Sequence, residues 1–221
     1  MNKIRTILLD ALILFAVSTV FVALADRAFS GLKGKIPKDD PVVTAIGQGE
    51  IKGLESVIAG LENDPRTQGK VATQTDEHGR TSLMRAAYAN LGDSKILKET
   101  DEKRAPMIAL LLAHGARLDA VDHDGWSALM WAAWSGLPTA VAKLLDSGAD
   151  HSLTDRQGNT ALIIAAQRGH ADIVTELLAK GADRAAKNSA GQTARDAAKT
   201  GLEQHPTSQS AGFNAVIDAL R

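Results

Sequence analysis

The sequence predicts an all-α solenoid: paired antiparallel helices joined at turn tips, preceded by an N-terminal hydrophobic helix. Two observations carry the solenoid, and a third separates off the first segment. Glycines recur 33 residues apart at Gly125, Gly158 and Gly191. A second set keeps the same step, with Gly115-Ala116, Gly148-Ala149 and Gly181-Ala182. A fixed period of this length marks stacked supersecondary units, none of which buries its apolar face alone. The third observation is an apolar run from Ala11 to Ala25, broken only by Ser18 and Thr19 and preceded by Lys3 and Arg5.

That run reads as a charged n-region followed by a hydrophobic h-region. Ala23-Leu24-Ala25 supplies small residues for cleavage before Asp26. Residues 1–25 are therefore expected to be a signal peptide or an uncleaved signal anchor, and flanking charge does not choose between them. In a bacterium either form would place the rest of the chain in the periplasm, free or anchored to the inner membrane. Residues 26–40 carry Gly31, Gly34 and Pro37 among charges and read as a linker. Residues 41–221 form the repeat domain.

Each period has a local physical logic. Asp155-Arg156-Gln157-Gly158 is a turn in which Gly158 is free to take positive φ. Thr160 is placed to cap a short first helix containing Ala161, Ala165 and Ala166, small enough for close helix approach. Gly169 ends that helix. Ile173, Val174, Leu177 and Leu178 then form the apolar stripe of a second helix, ended by Gly181. The preceding step, Gly79 to Gly125, is longer than one period by thirteen residues, and the excess falls at 91–103.

The pattern resembles the ankyrin repeat. Asp122, Gly125, Leu129, Ala132, Ala133, Gly136, Leu144, Leu145, Gly148, Ala149 and Asp150 match one copy. Asp155, Gly158, Thr160, Leu162, Ala165, Ala166, Gly169, His170, Ile173, Val174, Leu177, Leu178, Gly181, Ala182 and Asp183 match another. Asp76, Gly79, Thr81, Leu83, Ala86 and Ala87 open a third. The expected units are an N-terminal cap at 41–75, repeats at 76–121, 122–154 and 155–187, and a C-terminal cap at 188–221. In the family's Thr-Pro-Leu-His segment, Pro is replaced by Ser82, Ala128, Ala161 and Ala194. His is replaced there by Met84, Met130, Ile163 and Asp196. The family's His-mediated turn bonds are therefore not expected.

Composition narrows the function. Lys+Arg 25 against Asp+Glu 26 leaves a net charge of -1, too balanced for a broad nucleic-acid footprint. Zero cysteines exclude disulfides, thiolate metal sites and a cysteine nucleophile. Gly47, Gly49 and Gly53 imitate a nucleotide loop at the wrong spacing, and the repeat alignment gives them to a cap. Asp119, Asp122, His123 and Asp124 imitate a cation loop without its glutamate, and Asp122 is the turn residue of its repeat. No catalytic, cofactor or metal site is expected.

The resemblance implies a binding module, monomeric, whose concave face of turn tips and first helices meets a folded protein partner. Its variable positions, carried over, give Arg80, Tyr88, His123, Asp124, Trp126, Trp134, Arg156, Asn159, Gln167 and Arg168 as partner-binding candidates. Trp126 and Trp134 fall on surface positions, and exposed aromatics beside Arg80 and Arg168 are the composition of a hot spot. The other reading has these rings packing on one another or on the inserted segment, and Trp131 belongs to the core. The insertion, rich in mixed charge, reads as a solvated loop or helix extension, or as a binding arm. A membrane-anchored organiser or spacer with no dedicated partner is the alternative role.

Overall fold

The structure is a computed structural model that describes residues 41–49, 51–63, 75–88, 94–204 and 210–221. The expected leader, its hydrophobic helix and the linker lie outside the described residues. Among the described residues, no helix is long and apolar enough to cross a membrane.

Ten helices occur among the described residues, in antiparallel-pair order. They are α1 (Pro41–Gln48), α2 (Ile51–Asn63), α3 (Ser82–Ala86), α4 (Ser94–Ala113) and α5 (Ala128–Ser135). There follow α6 (Pro138–Asp146), α7 (Ala161–Gln167), α8 (Ala171–Ala179), α9 (Ala194–Gln204) and α10 (Ser210–Ala219). Odd-numbered helices pack on one another as one layer, and even-numbered helices as a second layer behind them. No strand occurs among these residues beyond isolated bridges at the turns, Thr75 with Thr81 and Val121 with Ser127.

Small residues set the spacing of the first layer. Ala86, Ala87, Ala132, Ala133, Ala165 and Ala166 are buried, and so are Leu83, Leu129 and Leu162 beside them. The second layer contributes Leu111, Leu144 and Leu177. The stack is closed by Leu54 and Ile58 at one end and by Phe213 and Val216 at the other. Gly47 and Gly53 sit inside α1 and α2, with Gly49 in the left-handed conformation between them. That arrangement is a helix-turn-helix cap rather than a phosphate loop.

First-helix capping replaces what the missing His would supply. Thr81, Ser127 and Thr160 each accept a hydrogen bond from the backbone N–H of Met84, Met130 and Ile163. Met84 closes the box with its sulfur, which accepts from the Thr81 N–H at 3.4 Å. In the last unit Asp196 does so with a carboxylate that accepts from both the Thr193 hydroxyl and its N–H. These bonds hold the Asp196 carboxyl below the usual aspartate range.

The insertion is a helix extension from Ser94, the start of α4, and one of its charges is structural. Asp101 is only 4% exposed. Its carboxylate accepts the N–H groups of Thr139 at 2.8 Å and Ala140 at 3.0 Å, the open N-terminus of α6. Leu137 caps α6 with no side-chain bond of its own, so the cap comes from the preceding repeat.

Candidate functional site: the turn tips and first helices

The first residue of each turn organises the tip above it. Asp122 Oδ1 accepts from the Asp124 and Trp126 N–H groups, both at 2.9 Å, and Oδ2 accepts from the Trp131 indole at 3.1 Å. Asp155 repeats this with Gln157 and Asn159, the third bond now coming from the Asn159 amide. Asp76 takes the His78 and Arg80 N–H groups and pairs with Arg85 at 3.0 Å. Asn188 holds the last tip through Ala190 and Gln192. Burial pushes the Asp122 and Asp155 carboxyls up, against the pull of those bonds. Asp122 is thereby committed to its own turn. Among the described residues no group of three or more His, Asp or Glu is placed to hold a metal ion.

Neighbouring tips are locked in register by a backbone ladder. The second turn residue donates to the carbonyl of the third in the previous unit. His123 donates to His78 at 2.9 Å, Arg156 to Asp124 at 3.1 Å, and Ser189 to Gln157 at 2.9 Å. The side chains at these steps face solvent on a fixed backbone. His123, Asp124 and Arg156 are exposed, and Asp124 and Arg156 form an ion pair at 3.8 Å. The His123 ring lies against Gly79, where a β-carbon would come within 2.7 Å of it.

The aromatic residues behave differently from the surface expectation. Trp126 and Trp134 are each 7% exposed, and Trp131 is 5% exposed. Trp126 packs on Trp131 with centroids 4.8 Å apart and meets Trp134 edge-on at 5.6 Å. Tyr88, half-buried, meets Trp131 edge-on at 5.4 Å. The rings pack on one another across the junction of two repeats, so the hot-spot picture of exposed indoles is corrected. The physical reason is the alanine-lined first layer: it leaves the large rings one another as partners on the same side.

Two further candidates are interior. Arg80 is 7% exposed, with its guanidinium over the Trp131 ring at 5.4 Å. Asn159 is 3% exposed, bonded to Asp155 and to the Asn188 amide of the next unit. Arg168 and Gln167 are half-buried on the next helix end, and the Arg168 guanidinium lies over Trp134 at 4.3 Å. The tips and the indole cluster thus belong to one face, with charge outside and rings beneath.

Trp131 lies in the core, as expected from the sequence, but its bond to Asp122 was not foreseen. Its position in the repeat is ordinarily apolar, and the signal lay in Asp122 nine residues earlier, whose second oxygen needs a donor. His170, also outside the candidate set, caps α8 and places its ring Nε2 3.3 Å from the Trp134 carbonyl. Burial chiefly, with Arg168 beside it, lowers its pKa to about 4.

The face presents exposed side chains on a backbone held by inter-repeat hydrogen bonds. Comparison with known families agrees with the geometry of its units. Residues 100–155 match a family model described as ankyrin repeats (3 copies), and residues 144–198 match one described as ankyrin repeats (many copies). No curated protein matches the chain. Residues 100–198 are therefore a run of ankyrin repeats.

Proposed function

We propose that the protein is a recognition module of the cell envelope that docks a folded protein partner on its face of turn tips and first helices. It acts by binding and carries out no chemistry of its own. The carrying observation is the tip ladder. His123, Asp124 and Arg156 extend into solvent from a backbone fixed by inter-repeat hydrogen bonds, and a pre-ordered surface loses little entropy on docking. The envelope placement rests on Lys3, Arg5 and the apolar run to Ala25, and mature mass separates cleavage before Asp26 from a retained anchor.

The test is affinity capture from the native envelope fraction with the full chain as bait, against a variant carrying Asp124→Lys and Arg156→Glu. The exposed Asp124–Arg156 ion pair contributes about 0–1 kcal/mol, so the variant keeps its fold. A protein retained by the native bait and lost by the folded variant supports the reading. Equal retention by both removes the tips from the interface.

A further inference from the structure

We infer that the partner presents an acidic segment to this face, received by the guanidinium of Arg80 with Arg168 beside the same indole cluster. The inference deepens the recognition reading and rests on it. Arg80 is a cation nine-tenths buried whose described contact is the Trp131 ring. Among the described residues, no carboxylate pairs with it.

The acids nearest in the fold are already committed. Asp76 gives one oxygen to two backbone N–H groups and the other to Arg85. Asp122 is saturated by two backbone donors and the Trp131 indole. At the tips, Glu77 lies 3.7 Å from His78, and Asp124 pairs with Arg156. The guanidinium of Arg80 over Trp131 is therefore the charge these acids leave uncompensated, and the Arg168 guanidinium lies over Trp134 in the same cluster.

A guanidinium stacked on an aromatic ring spends its π-face there and keeps its planar N–H fork for acceptors. The fork matches a carboxylate, and the stacking fixes it before the ligand arrives. A nucleic-acid strand fits less well. The indoles contact each other and offer no open face for a base to stack on. The net charge of -1 gives no extended field for a phosphate backbone.

The test selects short random displayed peptides on the full chain, then titrates a synthetic binder by tryptophan emission. All three tryptophans lie in the cluster, so emission reports binding there. The expected binders are enriched in Asp and Glu. Their affinity falls about tenfold or more with Arg80→Gln, the cost of losing a charge-assisted contact, and recovers in part with Arg80→Lys. Thermal melting checks that Arg80→Gln folds; if it does not, Arg168→Gln must show the same loss. Binders without acidic bias, affinity indifferent to these variants, or preference for a single-stranded oligonucleotide overturns the inference. If an envelope partner is captured through the tips while Arg80→Gln changes nothing, the acidic-segment inference alone falls. If neither peptide nor protein binds, the recognition reading falls with it.

Discussion

Replacing Trp126 with Ala tests whether the indole cluster is interior packing. The ring is buried to all but 7% of its surface and touches Trp131 at 4.8 Å and Trp134 at 5.6 Å. An aromatic of this size buries about 150–250 Å². At about 25 cal/mol per Å² that is roughly 4–6 kcal/mol, an upper bound because unfolded chains already bury some surface. The two ring pairs add about 0.5–1.5 kcal/mol each. Alanine keeps the β-carbon and part of the packing, so the expected loss is about 3–5 kcal/mol. Urea unfolding followed by far-ultraviolet circular dichroism measures it. A loss under about 1 kcal/mol would mean that the ring is an exposed contact residue, and the packing argument would fail.

Other perturbations probe separate parts of the stack. His170, whose folded pKa is about 4 against 6.5 for the ordinary group, stays neutral in the fold while the unfolded chain takes up its proton. Its contribution is therefore full above about pH 6.5 and is lost as pH falls towards 4, to the extent of roughly 3 kcal/mol. Urea midpoints at pH 7 and pH 5 should diverge more in the native protein than in His170→Gln, and parallel behaviour would refute the assignment. Asp101→Ala removes the acceptor for two N–H groups of α6 and should cost about 1–2 kcal/mol, with faster amide exchange at Thr139 and Ala140. Unchanged exchange there would show that the cap is dispensable. Gly136→Ala combines a φ of 70° with a β-carbon 2.7 Å from the His170 ring, whereas Gly148→Ala meets only its φ of 89°. Gly148→Ala should cost about 1–2 kcal/mol and Gly136→Ala more, and equal melting losses would discount the ring contact.

Much of this was legible in the sequence because the repeat makes the same local decision several times. The 33-residue glycine step, the Asp before each turn and the Thr or Ser before each first helix correspond to the observed turns and caps. What the pattern could not reveal depends on neighbours in space. Trp126 and Trp134 stand at positions that face outward in a generic repeat, but their exposure depends on what stands beside them. Three indoles and Tyr88, on or beside adjacent first helices, cover one another. Arg80 and Asn159 are buried by the same adjacency, one on Trp131 and the other under Asn188. Asp101 was hidden differently. Among the alternating charges of the insertion, nothing local separates the carboxylate that reaches α6 from those around it.

Photo-cross-linking in cells decides whether a partner docks on the turn-tip face. A photoreactive amino acid is placed singly at His123 and Arg156 on the tips, and at Lys143 and Glu176 on the second helix layer. One common adduct is expected from His123 and Arg156 and none from Lys143 or Glu176. Adducts from the second layer alone, or from neither tip, would contradict docking on that face.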